Sequence, residues 1–232
     1  MIPDILSSKR EILLTADGSH TVALPGNITY HSVYGAIQES RHVYIQAGLE
    51  YCLLHMPASQ QQINILEMGF GTGLNAILSL QHIRQYPCKL YYQAVELYPL
   101  SITDIKRLNY AEQLHAPNLY AIYNNMHGSA WGKDISLNTQ FTIHKSQTSI
   151  TTFTNELKFN LIYFDAFAPD AQPELWETNV FRNMYALLET SGILVTYCSK
   201  GAVRRNLISC GFAVEKLPGP PGKREILRAI KA

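Results

Sequence analysis

Cysteine is scarce: Cys52, Cys88, Cys198 and Cys210 are scattered through 232 residues, with no C-x-x-C pair and no histidine spaced beside them as a metal ligand. They read as reduced core thiols of a cytosolic protein. The N-terminus, Met1-Ile2-Pro3-Asp4, lacks a basic stretch followed by an apolar one, and no run of about 18 apolar residues occurs anywhere. Neither export nor membrane insertion is therefore expected. No G-x-S-x-G is present and the histidines stand singly, so no local nucleophile signature exists. Repeats and low-complexity segments are also missing.

An excess of one charge sign is missing too, since 19 basic and 18 acidic side chains leave a net charge of +1. That average conceals an asymmetry. From Lys200 onward there are eight basic residues and two acidic ones, Glu215 and Glu225, so this tail is six charges positive and the remainder five negative. An anionic partner near the C-terminal segment is one reading, and a solvated basic face balanced across the fold is the other. Apolar residues make up 47% of the chain, enough for the core of one large α/β domain.

The most informative stretch is Glu67-Met68-Gly69-Phe70-Gly71-Thr72-Gly73-Leu74-Asn75, directly after the apolar run Ile63 to Leu66. It reads as a strand entering a glycine turn that opens a helix, the usual setting of a nucleotide cofactor. The spacing is G-x-G-x-G. A dinucleotide fingerprint would need its third glycine at Leu74, where a branched side chain would block close helix-to-strand packing. Dinucleotides also bring a pyrophosphate to the helix N-terminus, which the acidic Glu67 would repel. S-adenosylmethionine has no phosphate and carries a sulfonium and an ammonium, so both spacing and charge favour it.

Around this turn, apolar runs alternate with amphipathic stretches as a doubly wound parallel sheet requires. Strands are expected over 63–67, 90–96, 141–144, 160–165 and 193–198. Helices are expected over 74–85, 100–111, 149–155, 177–188 and 201–209. A closing hairpin fits 212–217 and 225–230, either side of Pro218-Gly219-Pro220-Pro221-Gly222. Upstream, a hairpin around Asp17-Gly18 and a helix from Gly35 to His55 form a lead-in. This pattern predicts an α/β fold of the class I S-adenosylmethionine-dependent methyltransferase type: a Rossmann-like doubly wound sheet with a C-terminal antiparallel hairpin. Residues 1–60 are read as an N-terminal extension and 61–232 as the methyltransferase domain.

In such sheets ligands sit at the carboxyl ends of the strands. Glu96 ends the second strand, about 20 residues beyond the glycine turn, where a carboxylate accepts from ribose hydroxyls. The fourth strand leads into Phe164-Asp165-Ala166-Phe167-Ala168-Pro169, which resembles the [D/N]-P-P-[Y/F] loop of methyltransferases acting on exocyclic nitrogens. Asp165 is the catalytic candidate, expected first to orient the N–H bonds of an amine and second to remove a proton. Phe167, with Pro169, offers a stacking face. The residues expected to hold the cofactor are Glu67, Gly69, Gly71, Gly73, Asn75, Glu96, Gln147 and Asp165.

Taken with Pro173-Glu174-Leu175-Trp176, Gly201 to Arg205, Gly211-Phe212, Gly222 to Leu227 and Tyr30 to Ala36, these motifs resemble the MnmD family of tRNA wobble-uridine methyltransferases. The same domain forms the N-terminal half of the bifunctional MnmC enzymes. The resemblance implies methyl transfer from S-adenosylmethionine to the amine of 5-aminomethyl-2-thiouridine in tRNA, giving the 5-methylaminomethyl product. It also implies that Lys223 or Arg224, with Arg204 and Arg205, meets RNA phosphates. The bifunctional relatives continue into a flavin-dependent oxidase. No flavin chemistry is expected of a chain ending at Ala232, which would receive its aminomethyl nucleoside from separate enzymes.

Two positions depart from that pattern. Before the fourth strand, where an acid often accepts from adenine, the chain reads His144-Lys145-Ser146-Gln147, leaving Gln147 as a neutral acceptor. After the Ala-Pro turn it has Asp170-Ala171-Gln172-Pro173 in place of Lys-Asn-Pro. The alternatives to the tRNA enzyme are a methyltransferase for another small amine and a catalytically inactive RNA-binding module on the same fold.

Overall fold

The computed structural model describes residues 10–57 and 59–232. Residues 1–9 and Ala58, which fall within the expected N-terminal extension, lie outside the described residues. A small antiparallel sheet comes first, built from β1 (Glu11–Leu14), β2 (His20–Leu24) and β3 (Ile28–Thr29). The expected hairpin is present and gains β3 as a third strand. A long helical stretch follows as α1 (Ala36–Ser40), a π-helical segment (Arg41–Glu50) and α2 (Tyr51–His55). Its wider central turns explain why the apolar spacing over 35–55 is only loosely helical.

The main sheet comprises β4 (Gln62–Met68), β5 (Lys89–Val95), β6 (Asp134–Ser136), β7 (Phe141–Ser146), β8 (Phe159–Phe164), β9 (Leu188–Thr196), β10 (Phe212–Pro218) and β11 (Glu225–Lys231). Their order across the sheet is β10-β11-β9-β8-β4-β5-β7-β6. The five central strands run parallel, with β11 antiparallel to β9, β10 to β11 and β6 to β7. Central strands such as β4 are buried on both faces, which is why Ile63, Ile65, Leu66 and Met68 are all 0% exposed. One apolar cluster on one face packs the π-helical segment and α3 (Leu74–Ile83); the other packs α7 (Thr178–Leu187) and α8 (Gly201–Ser209).

Five departures from the expected elements appear. The helix expected over 100–111 is broken into α4 (Ile102–Ile105) and α5 (Tyr110–Gln113). Asn109, between them, uses its side chain to accept from His20 N and donate to Gly18 O, tying this segment to the β1–β2 turn. No helix forms over 149–155. There Ser149 Oγ accepts from Thr151 N and Thr152 Oγ1 donates to Ser149 O, local bonds that compete with helical ones. The helix α6 (Asn118–Gly128) was not expected; it buries Leu119, Tyr123 and Met126 at helical spacing. Its C-terminal carbonyls at Met126 and His127, with Ser129 O beyond, accept from the buried Nζ of Lys145 at 2.6, 3.0 and 2.9 Å. Finally, β6 adds an edge strand, and β9 begins at Leu188 rather than 193.

The π-helical segment approaches the sheet closely at Gly48. A Cβ there would lie 3.1 Å from Val195 Cγ2 and 3.2 Å from Tyr163 Cε1, on β9 and β8. Gly48→Leu is therefore expected to lower stability by about 1–3 kcal/mol, because neither strand can move away without repacking. Urea unfolding measures it, and an unchanged midpoint would contradict the close approach.

Candidate functional site

The order of strands reverses at β4, whose neighbours β5 and β8 lead to opposite halves of the sheet. The crevice beyond such a switch point is where a doubly wound sheet binds ligands. Here the strand ends are knitted together by backbone. Gly69 N and Phe70 N both donate to Val95 O, and Asp165 N donates to Met68 O. Gly69 has φ +93°, and a Cβ on it would sit 2.6 Å from Asp165 O. Only glycine lets the turn cross the end of β8 this closely.

A cavity of about 530 Å³ opens over these strand ends. At the end of β5, Glu96 accepts from Gly71 N at 3.1 Å through Oε2 and from Tyr98 N at 2.8 Å through Oε1. Its carboxylate is thus fixed at the rim of the glycine turn with lone pairs left over. Thr72 is held from four sides. Its hydroxyl accepts from Tyr110 OH and lies 2.7 Å from His31 Nε2, while its carbonyl accepts from Tyr123 OH at 2.6 Å and His127 Nε2 at 3.0 Å. Burial lowers both histidines to about 4, so they are neutral at pH 7 and serve as hydrogen-bonding struts.

Asp165 sits at the carboxyl end of β8 and lines the cavity. Tyr44 OH donates to its Oδ1 at 2.6 Å, and Asn75 Nδ2 donates to its Oδ2 at 2.8 Å. The same amide nitrogen also donates to Glu67 Oε1 at 2.9 Å. Burial is the largest influence on Asp165 and pushes its carboxyl up to about 7. The Tyr44 bond opposes that rise, Glu39 adds to it, and Asn75 and Lys223 oppose it further. A carboxylate near neutrality is a competent proton acceptor, whereas the sequence reading put orientation of the amine first and proton removal second.

Other residues named from the sequence divide between the cavity and its surroundings. Gly69, Gly71, Asn75, Glu96, Asp165, Phe167 and Lys223 line it. Phe167 meets Tyr30 edge-on with ring centroids 4.9 Å apart. Glu67 lies behind Asn75 and is 1% exposed, and burial raises its carboxyl well above the usual range. The charge expected there to attract a cationic cofactor is thereby suppressed, and Glu67 acts through Asn75. Gly73 caps α3 outside the cavity lining. Gln147 is exposed and turned out of the cavity, where Ser149 and Ile150 stand instead. Pro169, Arg204, Arg205 and Arg224 also lie outside the lining; Arg205 and Arg224 are exposed.

The basic tail is less free than its charge count implies. Lys200 pairs with Asp170 at 2.6 Å, Lys216 with Glu225 at 2.8 Å, Arg228 with Glu215 at 2.8 Å and Lys223 with Glu39 at 2.5 Å. Sequence reasoning gave no role to Tyr30, His31, Glu39, Tyr44, Thr72 or Tyr197. The stretch from Tyr30 to Ala36 and the pair Glu39-Ser40 with His42-Val43 were noticed as family-like motifs, but no chemistry was attached to them, and Tyr44 carries no local signal. Tyr44 reaches Asp165 across 121 residues of chain.

S-adenosylmethionine fits this arrangement. The cavity falls within the range of about 300–1,000 Å³ typical of small-molecule sites. Gly69 leaves space that any Cβ would fill, Glu96 presents a carboxylate for hydroxyls, and Asp165 faces the same space from the next strand. Because the folded-state carboxyl of Asp165 titrates near 7 rather than near 3.8, the folded state holds more protons than the unfolded state between those values. Stability is then lost as pH rises through that window. Asp165→Asn removes this loss, so its melting temperature should exceed that of the parent increasingly from pH 5 to pH 8; a constant difference across that range would refute the raised titration.

A family profile described as S-adenosyl-L-methionine-dependent methyltransferase matches residues 110–232. The bifunctional tRNA 5-methylaminomethyl-2-thiouridine biosynthesis protein MnmC of Pseudoalteromonas atlantica is 31% identical over 251 residues, covering 96% of this chain and 33% of that protein. The MnmC of Burkholderia multivorans is 29% identical over 226 residues, covering 91% and 33%. The chain therefore spans about a third of the length of the curated relatives it matches, and it aligns with their N-terminal part. Among solved structures, MnmC2 of Aquifex aeolicus superposes with a TM-score of 0.76 at 24% identity, over 96% of this chain and 70% of that one. A spermidine synthase of Thermotoga maritima gives 0.55 at 14% identity, over 96% and 69%. Both show the same fold. With its switch-point cavity and glycine turn, the chain belongs to the S-adenosyl-L-methionine-dependent methyltransferase family and forms an MnmD-like domain within it.

Proposed function

We propose that this chain methylates the amine of 5-aminomethyl-2-thiouridine at the tRNA wobble position, giving 5-methylaminomethyl-2-thiouridine. The observation that carries the reading is Asp165, held by Tyr44 and Asn75 at the end of β8 in the same cavity as the glycine turn. The names of the MnmC relatives, which refer to biosynthesis of that methylated nucleoside, give the substrate class.

When bound, S-adenosylmethionine supplies an electrophilic methyl group. Gly69, Gly71, Asn75, Glu96 and Asp165, which line one cavity, would hold it. An alkylamine is mostly protonated at neutral pH, so its lone pair must be released before it can act as a nucleophile. Asp165, with its carboxyl near 7, accepts that proton at one of its oxygens. Tyr44 and Asn75 fix the plane of the carboxylate, so the N–H bonds of the amine are oriented as the proton leaves. Phe167 and Tyr30 form an apolar wall against which the uracil ring stacks, which also keeps water from the amine.

The described part of the N-terminal extension contributes Tyr30 and Glu39 to the lining of this cleft and Tyr44 as the buried partner of Asp165, so 61–232 alone is not a complete site. The exposed Arg205 and Arg224, with Arg204, are assigned to phosphates of the tRNA backbone.

Incubating the protein with S-adenosylmethionine and tRNA carrying the aminomethyl nucleoside, followed by nucleoside mass analysis, tests the reading. A methyl gain is expected; cofactor binding without any methyl gain would sink it. The single-turnover rate should rise with pH through about 7 as Asp165 loses its proton, and Asp165→Asn should reduce it by about 10²–10⁴-fold. Replacing Arg204, Arg205 and Arg224 with Gln should weaken tRNA binding and flatten its salt dependence, by a slope of about 0.7–0.9 per lost phosphate contact. An unchanged slope would assign the substrate to another amine class.

A further inference from the structure

The cavity spans the switch point, and its two sides are chemically unlike. On the β5 side stands Glu96 at the rim of the glycine turn. On the other side, past Asp165 at the end of β8, come Tyr197 after β9 and Lys223 in the turn before β11. That turn is tied down: Gly219 N donates to Arg224 O, Lys223 N donates to Pro220 O, and His42 Nε2 lies 2.8 Å from Pro218 O. Lys223 Nζ donates to Glu39 Oε1 at 2.5 Å and stands 4.2 Å from the centroid of the Tyr197 ring. Glu39 is 6% exposed, and its Oε2 accepts from Ser32 N at 2.8 Å. Glu39, Tyr197 and Lys223 line the cavity together with Tyr30 and Phe167.

Such a pair is ill suited to a phosphate, because an anion drawn to Lys223 would meet the Glu39 carboxylate at the same point. Arg224, next in sequence, is exposed and is the residue left for RNA phosphate. What Lys223 and Glu39 present to the cavity is a donor beside an acceptor. An ammonium has three N–H bonds and a carboxylate about four lone-pair sites, so the contacts above exhaust neither group. A uracil edge complements that arrangement: its 4-carbonyl accepts and the neighbouring N3–H donates. Cytosine reverses both positions, with an amino donor and a bare ring nitrogen. The 4-carbonyl also adjoins the ring carbon that bears the aminomethyl arm. A base whose carbonyl meets Lys223 therefore carries its amine on the same side of the ring, in the cavity that Asp165 lines.

We propose that Glu39 and Lys223 together read the Watson–Crick edge of the uracil ring, Lys223 donating to the 4-carbonyl and Glu39 accepting from N3–H. Unpaired RNA bases are recognised by hydrogen bonds on this edge combined with stacking on an aromatic face, which Tyr30 and Phe167 supply. A buried ion pair adds little net stability over an apolar contact, so bracing the hairpin against the N-terminal segment does not by itself account for this one. The proposal rests on the amine-methylation reading and adds to it the groups that select the base bearing the amine.

The test uses two tRNAs that differ at the wobble base alone, one with 5-aminomethyl-2-thiouridine and the other with 5-aminomethyl-2-thiocytidine, and compares kcat/KM for methyl transfer to each. The parent protein is expected to favour the uridine by about 100-fold or more, because the cytidine sets donor against donor and acceptor against acceptor. Glu39→Gln and Lys223→Met should each cut that ratio by about 10-fold, and Lys223→Arg, which keeps a donor, should retain it. A pair that only braced the fold would slow both substrates alike and leave the ratio unmoved. Inactive protein also lowers both rates alike, so the ratio is readable on a variant that folds poorly. A parent ratio near one, or a ratio that Glu39→Gln and Lys223→Met both leave unchanged, would overturn the proposal while the amine-methylation reading stands. No methylation of either tRNA by the parent would sink that reading, and the proposal with it.

Discussion

Asp165 carries a carboxyl group that burial drives toward its neutral form, and the structure around it is arranged to limit that drive without abolishing it. Two donors, Tyr44 and Asn75, meet its two oxygens, and they come from two helical elements, the π-helical segment and α3, that pack together on one face of the sheet. A carboxylate left in water would ionise near 4 and bind protons too weakly to act as a base near neutrality. Left buried with no donors, it would remain protonated and accept nothing. Partial compensation leaves it near 7, where accepting and releasing a proton are balanced.

That balance depends on the sheet. Parallel strands bring the ends of β4, β5 and β8 side by side, and backbone bonds across them fix the glycine turn against Asp165. The π-helical segment can bring Tyr44 to Asp165 because Gly48 lets its backbone lie close to β8 and β9. The shell around Thr72 does the same for the other side of the turn, with two neutral histidines and two phenols joining α5, α6 and the N-terminal segment. The geometry of the cleft rests on packing several residues removed from Asp165 and the glycine turn, as a preorganised site requires.

Much of this was legible in the chain. The strands and the glycine turn follow from local pattern, because a doubly covered strand must be apolar throughout and a tight strand-to-helix turn must have glycine. Asp165 and Glu96 were found by one rule, that residues ending parallel strands face the ligand crevice. The rule did not distinguish Glu67, which also ends a strand but lies behind Asn75. Side-chain direction and burial separate the three, and neither is written in strand position. Gln147 was placed by analogy of position, whereas the loop that follows β7 turns it outward and brings Ser149 and Ile150 to the cavity.

Local patterning was enough to settle the fold class, the cofactor type and the strand that ends at Asp165, since each depends on neighbours within a few residues. Tertiary packing decided the protonation of that acid and the partners of the basic tail. Those properties depend on desolvation and on charges brought together from remote parts of the chain: Tyr44 is 121 residues from Asp165, and Glu39 is 184 from Lys223. Electrostatic interactions act through space at distances of a few ångströms, and only the folded chain determines which groups come that close.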